Sequence, residues 1–229
     1  EDAWRFMLPK LSKHFSVVTY DLRGHGKSSV THKNFTLDEL VLDLERIREK
    51  TKFKKAHFAG HSLGGMIAPA YALKFPDHVI SVGLLSTVAG RSEEDSKKVW
   101  NVIKEMENNG VEKTLQTLTT RWFTDEFINI NPDLVKRRLK QVVDTDPEVF
   151  LNVFKIYAKT EMLLWLKNIS KPCLLLTGEN DSGCSPKHNK IMANEIKDSK
   201  LVILPKYKHS FLIEAPNEVA GSLMEFINE

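Results

Sequence analysis

The 229-residue chain is 41% hydrophobic and 28% charged, proportions ordinary for a soluble globular protein and sufficient for one large α/β domain or two small ones. Its net charge of +3 comes from dispersed, mixed-sign residues, which excludes a nucleic-acid footprint, and no run is long and apolar enough to span a membrane. Cys173 and Cys184, the two cysteines, form no C-x-x-C pair; they fit a reducing, cytoplasmic compartment, with Cys173 read as a packed thiol in an apolar run.

In chain order, residues 1–14 read as a helix with Trp4, Met7, Leu8 and Leu11 on one face and Pro9 kinking or shortening it. Phe15–Tyr20 is a predicted strand, and Asp21–Ser29 a glycine-punctuated turn. Thr36-Leu37-Asp38-Glu39 is a capping box, and Leu37, Leu40, Val41, Leu44 and Ile47 follow at helical spacing. A short apolar strand over Ala56–His61 leads into Gly60-His61-Ser62-Leu63-Gly64, and a helix of small residues runs from Leu63 to Lys74, where Pro76 closes it. Val79–Leu85 is the next strand. From Thr87 to Leu166 the strand–helix alternation stops; the stretch is charged, helical in period and rich in aromatics, and reads as a helical insertion between two strands. Alternation resumes with a strand over Pro172–Thr177, a helix over Pro186–Ile196, a strand over Leu201–Leu204 and a last helix capped by Asn217. Strands alternating with helices predict a mostly parallel, doubly wound sheet covered on both faces. The domain division that follows is a core from 1–86 and 167–229, interrupted by a helical cap over 87–166.

The pentapeptide around Ser62 is a G-x-S-x-G nucleophile elbow, in which a sharp strand-to-helix turn pushes the serine hydroxyl out of the sheet. Side chains at Gly60 or Gly64 are expected to collide with neighbouring elements there. A serine hydroxyl needs a base, and the base an orienting acid. The carboxyl ends of parallel strands are the place to look. Gly178-Glu179-Asn180-Asp181 ends one strand and Pro205 to Ser210 ends the next, giving the order Ser62, Asp181, His209. Glu179 is the rival acid. The Ser62 hydroxyl is expected within hydrogen-bond reach of His209, and His209 of Asp181. His61 packs or hydrogen-bonds beside the elbow, and His25 serves either its turn or the substrate. No metal-ligand spacing and no G-x-G-x-x-G after a strand occurs, so neither a catalytic metal nor a dinucleotide cofactor is expected.

With the turn Asp21-Leu22-Arg23-Gly24-His25-Gly26-Lys27-Ser28, the elbow, Gly178–Asp181 and His209-Ser210-Phe211-Leu212-Ile213-Glu214-Ala215-Pro216, the chain resembles the α/β-hydrolase superfamily over nearly its whole length. Arg121-Trp122-Phe123-Thr124, Asn131-Pro132 and Thr145-Asp146-Pro147 resemble the cap of 3-oxoadipate enol-lactone hydrolases and related carboxylesterases. The resemblance implies a serine hydrolase acting on a small-molecule carboxylic ester or lactone, with an acyl-enzyme on Ser62 and the Leu63 N–H in the oxyanion hole. It makes Trp122 and Phe123 pocket walls or cap core, and Arg121 a candidate contact for a carboxylate-bearing substrate. It also implies first strands, one of them interior to the sheet, and an oxyanion segment with a second donor, none of which this sequence carries; the chain is expected to be a crop of a longer one. Carbon–carbon bond hydrolysis or perhydrolysis on the same triad, and a slow-turnover ligand receptor, remain the alternatives.

Overall fold

Four apolar runs pair side by side in the computed structural model, which describes residues 2–229. They are β1 (Ala56–His61), β2 (Val79–Leu85), β3 (Cys173–Gly178) and β4 (Ser199–Leu204), in the order β1-β2-β3-β4, every pair parallel. The inner strands β2 and β3 are buried almost throughout, as continuous runs of Val, Leu and Cys require when both faces are covered. Alternate side chains of β3 go to opposite faces. Cys173 and Leu175 join a cluster with Met66, Ile67, Tyr71 and Met192, whereas Leu174 and Leu176 join Met7, Phe211, Val219 and Leu223.

The helices that supply those covers follow their signals. The predicted capping box closes α2 (Leu37–Thr51): the Thr36 hydroxyl accepts from the Glu39 N–H, and the Glu39 carboxylate accepts from the Thr36 N–H. The small-residue helix is α3 (Gly64–Lys74), with Leu63 at its N-cap and Pro76 just beyond its end. Between β2 and β3 lie six helices: α4 (Glu93–Asn109), α5 (Val111–Trp122), α6 (Asp125–Ile130), α7 (Pro132–Val143), α8 (Pro147–Lys159) and a single turn, α9 (Leu163–Leu166). Met106, Leu115, Leu118, Val142 and Phe150 give this segment an apolar cluster of its own. Then come α10 (Pro186–Glu195), a short α11 (Phe211–Glu214) and α12 (Pro216–Asn228).

Three expectations are corrected. The N-terminal stretch is a 3-10 turn at Asp2–Trp4 and a four-residue helix, α1 (Leu8–Leu11), instead of one helix over 1–14. Pro9 has no N–H to give and its ring clashes with the preceding turn, so it stands only in the first turn of that short helix; Glu1 lies outside the described residues. Phe15–Tyr20 is not a strand in the structure, since extended backbone also needs a ladder partner; that residues 16–20 do not pair directly with β1, which pairs with β2 alone, agrees with the expectation that an interior strand belongs between them. Asn217 sits inside α12; Pro216, whose φ is pre-set for a first helical position, moves the cap back to Ala215.

Candidate active site

β1 and α3 meet at Ser62, whose φ of +56° places a non-glycine residue in the left-handed region. The Ser62 N–H donates to the Leu85 carbonyl at 2.9 Å, and the Ser62 carbonyl accepts from the Gly65 N–H at 2.9 Å, so the strained turn is held from both sides. Gly60 makes the turn possible: a Cβ there would lie 1.9 Å from the Gly64 carbonyl oxygen. A Cβ on Gly64 would meet nothing within 4 Å, which corrects the expected collision. The second tight glycine is Gly65, where a Cβ would lie 2.7 Å from the Thr87 side chain at the end of β2. Leu63 stands at the N-cap of α3, where first-turn N–H groups have no intrahelical acceptor.

The loops after β3 and β4 press backbone to backbone. A Cβ on Gly178 would lie 2.4 Å from the Tyr207 carbonyl oxygen, and the Asn180 N–H donates to that oxygen at 2.9 Å. This contact brings Asp181 to His209, with 2.8 Å between Asp181 Oδ2 and His209 Nδ1. Glu179 points elsewhere, accepting from the Lys206 N–H at 2.9 Å. Asp181 is 2% exposed, and both its oxygens are saturated. Oδ1 accepts from the Gly183 and Cys184 N–H groups, at 3.0 and 2.8 Å; Oδ2 accepts from the imidazole and from the Ser86 hydroxyl. Burial alone would push this carboxyl up, but the His209 ring and the hydrogen bonds outweigh it and hold the group well below the ordinary carboxylate range. The same pairing works in reverse on His209: burial draws the imidazolium down, and the adjacent carboxylate overrides it and raises the ring above its ordinary value.

His61 ties the elbow to the histidine loop. Its Nε2 lies 2.8 Å from the His209 carbonyl oxygen, so that nitrogen carries the proton, and burial keeps the ring neutral. Ser86, also at positive φ (+46°), and the buried Cys184 complete the surroundings of the pair. Neither carried a motif; Ser86 follows β2 directly, and Cys184 lies in the loop between β3 and α10. The side-chain ligand atoms of Asp181, Cys184 and His209 lie within 4.8 Å of one another, the geometry of a possible metal site. The carboxylate and imidazole bond each other directly at 2.8 Å, however, and the carboxylate has no acceptor position left for an ion.

Ser62, Leu63, Asp181 and His209 all line one cavity, which continues into the space between residues 16–20 and the unpaired edge of β1. The expected bond from the Ser62 hydroxyl to the His209 ring is not formed, although both groups face this space; such contacts commonly tighten only around a substrate. Trp122 lines the cavity while packing on the apolar cluster of the helical segment, so it serves as both wall and core. Phe123 does not reach the cavity: it is 0% exposed and stacks on Phe127 at 5.8 Å, which corrects its reading as a pocket wall. Arg121 is exposed at the margin. His25 lines the cavity and hydrogen-bonds the Arg23 carbonyl, while Arg23 itself is forked onto Asp43 at 2.7 and 2.8 Å.

A family model described as alpha/beta hydrolase fold matches residues 2–216. 3-oxoadipate enol-lactonase 1 of Acinetobacter baylyi is 30% identical over 98% of this chain and 83% of its own length. 3-oxoadipate enol-lactonase 2 of the same organism is 25% identical over 98% of this chain and 84% of its own. Among solved structures, the enol-lactonase from Burkholderia xenovorans LB400 superposes with a TM-score of 0.92 at 24% identity, covering 100% of this chain and 86% of that one.

Proposed function

We propose, from the premise that the chain belongs to the alpha/beta hydrolase family, that it hydrolyses a carboxylic ester or lactone through Ser62, His209 and Asp181. The observation that carries this reading is a positive-φ serine at a helix N-terminus, facing the same cavity as a buried imidazole–carboxylate pair. The curated relatives named as enol-lactonases support the lactone side of it.

In this mechanism Ser62 Oγ attacks the carbonyl carbon and its proton passes to His209 Nε2. Nδ1–H stays on Asp181, which fixes the ring's tautomer and stabilises the imidazolium. The Leu63 N–H, at the positive end of α3, donates to the developing oxyanion. His209 then gives the proton to the leaving oxygen, and an acyl-enzyme remains on Ser62. Water, deprotonated by His209, attacks the acyl carbon and releases the acid. Residues 87–166 act as a cap: Val99, Leu118, Trp122, Val142, Phe150 and Phe154 give the cavity an apolar wall on the side facing the sheet.

The test is Ser62→Ala, assayed on a neutral p-nitrophenyl ester. Its kcat is expected to fall about a millionfold with the circular dichroism spectrum unchanged. Turnover within tenfold of wild type would remove Ser62 from the nucleophile's role.

A further inference from the structure

Ser86 stands one residue beyond β2, with a φ of +46°. A side chain is unfavourable in that backbone region, which glycine adopts freely. The backbone does not need the hydroxyl for support: the Ser86 N–H already donates to the Leu176 carbonyl at 2.8 Å, continuing the contact of β2 with β3. The hydroxyl goes instead to Asp181. It donates to Oδ2, the oxygen that also faces the imidazole, and its own oxygen lies 3.1 Å from His209 Nδ1. Ser86 is 0% exposed and does not line the cavity, so it is out of a substrate's reach.

Two donors therefore draw on one carboxylate oxygen, and the Ser86 hydrogen bond helps hold that carboxyl below its ordinary range against burial. Charge shared with the hydroxyl is less available to the imidazolium, which makes His209 a weaker base than Asp181 alone would make it. The Ser86 oxygen also offers the Nδ1–H a second acceptor, at 3.1 Å against 2.8 Å for the carboxylate, which restrains rotation of the ring. Against the ring also stand His61 of β1 and, within 4.8 Å, the Cys184 thiol, which shares a hydrogen bond with Tyr157 of α8 at 3.3 Å. Burial keeps His61 neutral, with His209 and the Arg138 guanidinium of α7 acting the same way, and burial raises the thiol and the phenol. At neutral pH all three are uncharged, so the charge in contact with the ring among the described residues is that of Asp181.

We propose that Ser86 is a positioning residue of the hydrolytic site: its hydroxyl locks the Asp181–His209 pair in the arrangement that proton transfer from Ser62 requires, and takes up part of the carboxylate charge that the ring would otherwise hold alone. This accounts for a serine where the backbone favours glycine. The proposal rests on the hydrolase reading and adds a fourth side chain to its acid–base chain.

The experiment compares Ser86→Ala and Ser86→Gly with wild type on a neutral p-nitrophenyl ester across a pH series, and in urea unfolding. Both variants lose the hydroxyl, so kcat on the plateau above the titration should fall about tenfold in each, with KM within about twofold. The rising limb of kcat/KM should move up by about half a pH unit in both, because the carboxylate, relieved of one donor, holds the imidazolium more tightly. Stability should part the two variants: glycine relieves the positive φ, so Ser86→Gly should unfold at a higher urea concentration than Ser86→Ala. A merely structural serine would make activity follow stability. A limb that stays in place in both variants, or a plateau kcat within twofold of wild type in Ser86→Gly, would overturn the proposal. Failure of the hydrolase reading would look different, because Ser62→Ala would then keep turning over the ester whatever the Ser86 variants do.

Discussion

At the Asp181 carboxylate, two backbone N–H groups, a serine hydroxyl and an imidazole converge on two buried oxygens. Such a carboxylate stays ionised and fixes the ring in front of it, and this sets the expected pH dependence. In the proposed mechanism His209 must be neutral to take the Ser62 proton, and Asp181 raises its pKa, so kcat/KM should climb with pH along a limb lying above the ordinary imidazole value of 6.5. Asp181→Asn removes the largest causes that raise the ring and leaves burial opposed only by the smaller contribution of Cys184, so the limb should move to lower pH while kcat falls about ten-thousandfold. A pH–rate profile of both proteins reads this directly; a limb that stays in place in the variant would separate Asp181 from the titrating group. Asp181 and His209 were legible because strand-end loops in consecutive positions carried them. Ser86 and Cys184 were not, since a serine after an apolar run and a cysteine in a polar loop carry no catalytic signature. Trp122 and Phe123 show the limit from the other side. They are adjacent at the end of α5, yet one faces the cavity and the other is sealed in the core, and sequence alone does not orient neighbours across a helix end.

Among the elements, the close approach of α3 to β1 sets the elbow. The distances at Gly60 and Gly64 make the two glycines of one motif unequal, and stability should report it. Gly60→Ala forces a backbone carbonyl away from a Cβ and is expected to cost about 3 kcal/mol in urea unfolding. Gly64→Ala has open space at a helical position and should stay within about 1 kcal/mol of wild type, on the stabilising side. Equal losses would mean that α3 does not sit against β1 as described. The motif's spacing made the turn legible but not which glycine carries the steric load, because that depends on where each Cα–Cβ vector points. The inner strands β2 and β3 were legible because burial on both faces leaves a nearly unbroken apolar run. Phe15–Tyr20 carries a similar β signature and lies outside the sheet, since pairing is decided by neighbours distant in sequence.

Across the whole molecule, the helical segment between β2 and β3 is anchored over the strand ends. The Ser210 N–H, beside His209, donates to the Trp122 carbonyl at 2.8 Å; the Thr124 N–H donates to Glu214, and Lys208 reaches the Thr120 carbonyl at 2.8 Å. The loop that carries His209 is thus stitched to α5 and α6, and the cavity lies between this segment and the sheet. Composition and helical period announced the segment, but these long-range bonds join groups about 90 residues apart and carry no local signature. The claim on which everything else depends is that Ser62 becomes covalently bound. Incubation with a p-nitrophenyl alkylphosphonate, followed by intact-mass and peptide mass spectrometry, tests it most directly. The account expects one equivalent of p-nitrophenolate, one phosphonyl group per chain located on the peptide containing Ser62, and no adduct in Ser62→Ala. An adduct on any other residue, or continued ester turnover by fully phosphonylated protein, would contradict it.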